Sequence, residues 1–363
     1  MKILLVSNMY PSKKYPHYGV FVENTEKVLG KLPNVQVSKA VLRKQDSKLG
    51  KLFGYLLFYM KILAMGILGN YDVIYGHFIS HISLPLRMVK KCNPKACLVL
   101  NAHGNDVIAD SPRDDKWVSL SHKLVPLADH IIVPSAYFQQ VMCRDFGVEP
   151  EKILVYPSGG VNTQVFCPQE PKSLKATYQL DPRKKYIGYI SRIEVDKGWD
   201  TFLKAIAPLE DREDLGFIVV GGGQQEAEFA EMAKQLGVAE KIIRYPLLSQ
   251  REIAQLYNVL DVFCFPTRRK SESLGLVGLE AIACGCVTVT SDAGGPASYM
   301  QDGVNGFVFR RDSETQLTEK ILQALSLTPE ETASLQAGME TTRKQYCAYN
   351  ADKILLDFFA RFS

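Results

Sequence analysis

The chain has 363 residues, 46% hydrophobic and 23% charged, with a formal net charge of +4. That length exceeds one ordinary core and predicts two domains. The balance is that of a soluble globular protein, which excludes disordered, collagen-like and low-complexity classes, and no solenoid-spaced repeat occurs. Eight scattered cysteines form no CxxC pair and no zinc spacing, so free thiols in a reducing cytoplasm are expected.

The opening MKILLVSN is too short and too soon polar for a signal peptide and reads as a buried first strand. Further β-rich runs follow at 35–41, 71–76, 96–102, 130–135 and 153–157, with helical stretches between them. A second series begins at 185–191 and continues at 216–222, 241–245, 261–266 and 286–290. Alternation of this kind predicts parallel sheets of βαβ type. A proline-rich, aperiodic stretch near 160–183 separates the two series. The expected organisation is α/β: two Rossmann-like doubly wound domains, 1–165 and 166–345, facing each other across a cleft. Ligands of such folds bind at the carboxyl ends of strands. The last segment, 346–363, reads as an amphipathic helix packing back on the first domain.

Charge is uneven. From Lys31 to Lys95 there are eleven Lys and Arg against two acids, Asp46 and Asp72. The same region holds KLFGYLLFYMKILAMGIL, residues 51–68, shorter in uninterrupted apolar length than a spanning helix and broken by Lys61. Two readings stay open for 43–68: a core helix with a solvated basic flank, or an interfacial helix docking on an anionic membrane surface. Nucleic acid is not expected as a partner, because no recognition motif accompanies the basic residues.

The chemistry-bearing residues fall at predicted strand ends. In ESLGLVGLEAIACG (272–285), Ser273 is a candidate N-cap, a helix is expected from about Leu274 to Cys284, and Gly285 is its left-handed stop. Glu272 then precedes a helix N-terminus, and Glu280 lies about 12 Å along and about 80° around. The helical neighbours of Glu280 are apolar, so its carboxylate needs a fixed hydrogen-bond partner such as vicinal ribose hydroxyls; the alternative is a surface Glu280. In SRIEVDKG (191–198), Arg192 and Lys197 suit a diphosphate, or pair with Glu194 and Asp196. VVGGG (219–223) allows close backbone approach at Gly222, or is a plain turn. HGND (103–106) puts His103 and Asp106 at a strand end, where a substrate contact and a satisfied structural histidine are equally compatible. Gly19 opens the helix after the first strand, as a phosphate-approach point or an ordinary helix start. Arg268, Arg269 and Lys270 form a basic run that meets an anionic acceptor or is solvated. No D-x-D, P-loop, G-x-S-x-G or zinc motif occurs.

Taken in order, Gly19, HGND, YPSGGVN (156–162), SRIEVDKG, VVGGG, ESLGLVGLEAIACG and SDAGGPASYMQDGVNGFVF (291–309) resemble the family 4 retaining glycosyltransferases of GT-B fold, over essentially the whole chain. The resemblance implies a metal-independent transferase of hexosyl type that needs no cofactor. It would move a sugar from a nucleotide-diphosphate donor to a glycan or lipid-linked acceptor, in cell-surface polysaccharide or glycolipid assembly. It implies a cytoplasmic enzyme, peripheral on the inner face of the cytoplasmic membrane where 43–68 docks.

By the same resemblance Arg192 and Lys197 hold the donor diphosphate. Glu272, with the amides of Ser273, Leu274, Gly275 and Leu276, grips sugar hydroxyls and phosphate. Glu280 accepts from the ribose, Gly19 and Gly222 approach the donor, Leu247 lies against the base, and His103 lines the donor sugar. Asp106, Arg268 and Arg269 are acceptor-side candidates. A front-face mechanism, in which the leaving phosphate oxygen helps deprotonate the acceptor, needs no side-chain nucleophile. Departures are Leu274 where Phe is frequent, Ser298 near an expected acid, and Val20 after Gly19 where a second glycine is frequent. The alternatives are a nucleotide-sugar epimerase of the same fold and a non-catalytic scaffold.

Overall fold

The computed structural model describes residues 1–112 and 114–362. The chain forms two compact units: Met1–Gly160 with the segment from Tyr349 onward, and Val161–Ala348.

The first unit runs β1 (Lys2–Ser7), α1 (Val20–Leu29), β2 (Gln36–Val41), α2 (Lys48–Leu68), β3 (Val73–His77), α3 (Ile79–Cys92), β4 (Cys97–Asn101), α4 (Asp115–Leu124), β5 (His130–Val133), α5 (Ala136–Phe146) and β6 (Ile153–Val155). All its strands pair parallel, in the order β2-β1-β3-β4-β5-β6. Successive side chains of a strand point to opposite faces, and here helices cover both, so β1 is buried from Ile3 to Val6. One face packs Leu4, Val6, Ile74 and Leu98 with α2, α3 and α5. The other packs Ile3, Leu5, Tyr75 and Val99 with α1 and the C-terminal helix. The strand order reverses between β1 and β3.

The second unit runs α6 (Pro171–Thr177), β7 (Lys185–Ile190), α7 (Trp199–Ile206), β8 (Leu215–Val220), α8 (Glu226–Gln235), β9 (Ile242–Tyr245), α9 (Gln250–Val259), β10 (Val262–Phe265), α10 (Leu276–Ala283), β11 (Val287–Ser291), β12 (Phe307–Phe309), α11 (Glu314–Leu325) and α12 (Pro329–Gln345). Its parallel sheet has the order β12-β11-β10-β7-β8-β9, the doubly wound dinucleotide-fold order, which reverses between β7 and β10. Every run read as a strand is one. Among the strands of the described residues only β12 escaped, because three residues leave too little length for an alternation to register.

Helix α13 (Ala348–Ala360) buries Ala351, Leu355, Phe358 and Phe359 in the first unit, with Phe359 5.0 Å from the Tyr75 ring. Burying side chains of that size contributes about 1.5–3 kcal/mol each. Lys31 pairs with Asp352 at the surface of the same contact.

Candidate functional site

In the second unit, the loops after β7 and β10 flank the point where the strand order reverses. The first carries Arg192 and Lys197, and the second carries Glu272. Lys197 Nζ donates to Glu272 Oε2 at 2.6 Å, with the two side chains 10% and 15% exposed. Thr267 Oγ1 also lies 3.4 Å from that oxygen. Buried Tyr189 props the cationic loop, the single proton of its hydroxyl shared between the carbonyls of Arg192 (3.0 Å) and Lys197 (3.3 Å). Burial raises the Tyr189 pKa far above its ordinary value, so the phenol stays a donor. Arg192 is more exposed and pairs with Glu194 at 2.9 Å. Lys197 and Arg192 therefore have acidic partners on the chain, and both stand beside one strand end.

Helix α10 begins later than expected. Its N-cap is Gly275, in the left-handed region at φ 75°, and Ser273 and Leu274 lie in the preceding loop. A Cβ at Gly275 would come within 2.7 Å of both Phe265 Cε1 and Pro296 Cγ, so the position requires glycine on conformation and space alike. The separation of Glu272 from Glu280 is consequently not a helical one. The expected stop holds: Gly285 sits at φ 82° and the Cys286 amide returns to Ala281 O at 3.0 Å. Leu274 is buried in the core and Leu276 is half-buried, so Leu274 can offer a ligand only its backbone.

Glu280 lies half-buried on α10, and burial pushes its carboxyl up to about 7. Among the described residues it has no hydrogen-bond partner. The partner demanded by its apolar surroundings is thus not supplied by the described residues. Gly222 sits exposed in the loop after β8, its carbonyl accepting from the Ile193 amide at 3.1 Å, which ties this loop to the Arg192 loop. Leu247 follows β9 and is 87% exposed.

Arg268 and Arg269, the acceptor-side candidates of the basic run, are ion-paired within the second unit. Arg268 reaches Asp200 at 2.7 Å, Thr201 at 2.8 Å and Asp312 at 2.5 Å, and Arg269 reaches Asp196 at 3.1 Å. Their charges are already matched, and they brace the loop after β10 against the start of α7. These partners lie 44 to 73 residues away, beyond the reach of any local sequence pattern (Asp200 is 68 residues from Arg268).

The first unit has its own strand-end cluster. His77 ends β3, and His103 follows β4, with His77 in register with Asn101. His77 Nδ1 and His103 Nε2 are 2.9 Å apart and the rings stack at 22°. Phe21 and Phe78 pack on His103 at 4.8 and 4.6 Å. Burial lowers the His103 pKa to about 3, and His77 is held well below its ordinary value by burial and then by His103. Both imidazoles are neutral at pH 7. His77 was missed, although VIYGH and LVLNAH both end a strand in histidine and neighbouring parallel strands bring such ends together. Gly19 caps α1 at φ 79°, where a Cβ would meet the Met9 carbonyl carbon at 2.7 Å.

Asp106 turns both carboxylate oxygens to the backbone. It is 1% exposed; Oδ1 accepts from the amides of His103 and Gly104 at 2.9 Å each, and Oδ2 from the Ile79 amide at 3.0 Å. It pins the His103 loop to the start of α3. Burial raises its pKa, opposed by these amides.

Residues 16–165 match the family model described as Glycosyltransferase Family 4, and 172–340 match that of Glycosyl transferases group 1. D-inositol 3-phosphate glycosyltransferases of Mycobacterium sp. (strain JLS) and Mycobacterium marinum (strain ATCC BAA-535 / M) are 29% and 28% identical over 252 residues, 66% of this chain and 55% and 52% of theirs. The chain spans about half the length of these curated relatives. Among solved structures, Anabaena HepE in complex with UDP and glucose matches at TM-score 0.76 and 18% identity, covering 99% of this chain and 100% of that one. Sucrose-phosphate synthase from Thermosynechococcus elongatus matches at TM-score 0.80 and 16% identity, covering 99% and 98%. With two family models spanning most of its length and these neighbours sharing its fold, the chain belongs to the family 4 glycosyltransferases of GT-B fold.

Proposed function

We propose that the chain transfers a hexosyl group from a nucleoside-diphosphate sugar to a glycan or lipid-linked acceptor, retaining the anomeric configuration and needing no metal. The reaction would take place in the cytoplasm during assembly of a surface polysaccharide or glycolipid. The observation that carries this reading is the Lys197–Glu272 pair beside Arg192, at the strand-order reversal of the second unit.

Arg192 and Lys197 would stabilise charge developing on a departing diphosphate, the work that a divalent cation does in other transferases. Glu272 orients Lys197 and keeps its other oxygen for a sugar hydroxyl. Glu280, with no hydrogen-bond partner among the described residues, is suited to accept from ribose hydroxyls. Exposed Leu247 offers an apolar face to a base. The acceptor attacks the anomeric carbon as the diphosphate leaves from the same face, and its proton passes to the leaving phosphate oxygen. His103, neutral and stacked, serves as a hydrogen-bonding side chain rather than a cation. The complex of Anabaena HepE with UDP and glucose supports a nucleotide-sugar donor by likeness of fold.

The test is a thermal-shift panel of UDP-, GDP- and ADP-hexoses, followed by NMR of products with and without EDTA. A tight donor raises the unfolding midpoint by mass action. Transfer with the donor's anomeric configuration and indifference to EDTA is the expected result. A sugar epimer released without acceptor identifies an epimerase, and the absence of any stabilising nucleotide identifies a scaffold.

A further inference from the structure

Helix α2 resolves one question and opens another. Its Phe58, Ile62 and Gly66 are buried in the core, so it is a core helix on one side. Its other side is apolar too. Of the sixteen exposed large hydrophobic side chains among the described residues, eight lie on α2. Leu49, Leu52, Phe53, Leu56, Leu57 and Met60 fall within an arc of about 140° at 100° per residue. Leu52, Phe53 and Leu57 are 66%, 60% and 64% exposed. A surface helix of a soluble domain turns its polar face outward; this one does not.

The surroundings of this face are basic. Lys48, Lys51 and Lys61 are exposed on α2, and Arg87, Lys91 and Lys95 on and just after α3. None of the six forms an ion pair among the described residues. The two acids of the region are occupied, Asp46 by Lys14 and Asp72 by the Lys2 amide. Helix α3 packs beside α2, with Tyr59 donating to His81 O at 3.0 Å and Asn93 to Gly66 O at 3.2 Å. It adds exposed Leu84 and Met88 next to Arg87.

By length and composition α2 could cross a membrane. Its place in the fold prevents that, because it is the crossover from β2 to β3, which flank β1 in one sheet. It can only lie flat. Two copies of this face brought together would oppose their own lysines, whereas an anionic bilayer satisfies both the apolar arc and its basic rim.

We propose that α2 is an in-plane anchor that docks the first unit on an anionic lipid surface. Leu52, Phe53, Leu56 and Leu57 enter the boundary between headgroups and acyl chains, and Lys48, Lys61 and Arg87 meet the headgroup phosphates. The inference rests on the transferase reading only for its purpose, which is to bring the enzyme to a lipid-linked acceptor.

The full chain is sedimented with vesicles of phosphatidylcholine alone, or mixed with phosphatidylglycerol, at low and high salt. Binding should be roughly tenfold or more tighter to the anionic vesicles and should weaken with salt. Leu56→Glu/Leu57→Glu and Lys48→Glu/Lys61→Glu should each weaken it roughly tenfold with the unfolding midpoint unchanged. If the leucine variant lowers the midpoint, Leu57→Ser and the lipid and salt dependence of the native chain decide instead. No binding, or equal binding to neutral and anionic vesicles, overturns the proposal. So does a concentration-dependent dimer that the leucine variant dissolves while vesicles remain unbound. Nucleotide-sugar stabilisation is measured in parallel. Stabilisation without vesicle binding removes the anchor alone, and vesicle binding without stabilisation removes the transferase reading alone.

Discussion

Lys197 Nζ and Glu272 Oε2 are 2.6 Å apart across 75 residues of chain. Each satisfies the charge of the other. The pair is preorganised: the carboxylate aims the ammonium, and the phenol of Tyr189 fixes the backbone beneath it. Removing one member leaves a nearly buried charge without its counterion.

Lys197→Ala and Glu272→Ala should therefore each cost about 3 kcal/mol of stability, and the double variant less than their sum. Turnover should fall roughly 100-fold or more in each, while the fold persists. Urea unfolding and sugar-transfer assays check the two parts. Additive stability losses, or wild-type transfer by either variant, would contradict the assignment.

Glu280 makes stability depend on pH. Its carboxyl is raised from 4.5 to about 7 by burial, so it stabilises the fold fully below its unfolded value and loses that contribution as pH rises through 7. Unfolding free energy should drop by about 3 kcal/mol from this group between pH 4.5 and 8. Glu280→Gln should flatten the profile and be the more stable protein at pH 8. Nucleotide should also bind the wild type more tightly above pH 7, and a Gln variant that binds nucleotide equally well at pH 8 would remove the ribose role.

The histidine pair acts at the acid side. His103 and His77 are depressed on folding, so their contribution is present above the unfolded value of 6.5 and is lost as pH falls toward about 3. Each should add a slope of about 1.4 kcal/mol per pH unit below 6.5. Urea melts at successive pH values on wild type and His103→Gln should show the slope roughly halved in the variant. An unchanged slope would mean that the imidazoles protonate in the folded state.

Asp106→Ala should destabilise by about 3 kcal/mol or more, since it strands three backbone amides, each costing about 1–3 kcal/mol when buried without an acceptor. Activity lost in Asp106→Asn should track the disordering of the His103 loop, seen as faster amide exchange at His103 and Gly104. Lost activity with native exchange would return Asp106 to the substrate.

The chain's periodicities by themselves determined the doubly wound α/β class and nearly every strand, because alternation, apolar runs and glycine stops are local properties. The ordered motifs located the cations and carboxylates at strand ends. What they could not show is who meets whom. Arg268, read from its neighbours Arg269 and Lys270, looks like a free basic run, yet Asp200 closes on it once β10 and β7 are adjacent, and Asp312 once β11 and β12 pair beside them. Asp106 looks like a reactive acid until the β4 loop reaches the start of α3. His77 has no meaning in sequence beyond ending a strand, and acquires one only because β3 and β4 pair in register. The start of α10 moved from Ser273 to Gly275 because Phe265 and Pro296 crowd that backbone. The exposed side of α2 was undecidable in sequence, where both faces are apolar; packing chose Phe58 and Ile62 for the core and left Leu52, Phe53 and Leu57 outside. Partner, burial and face are long-range quantities, and only the tertiary structure assigns them.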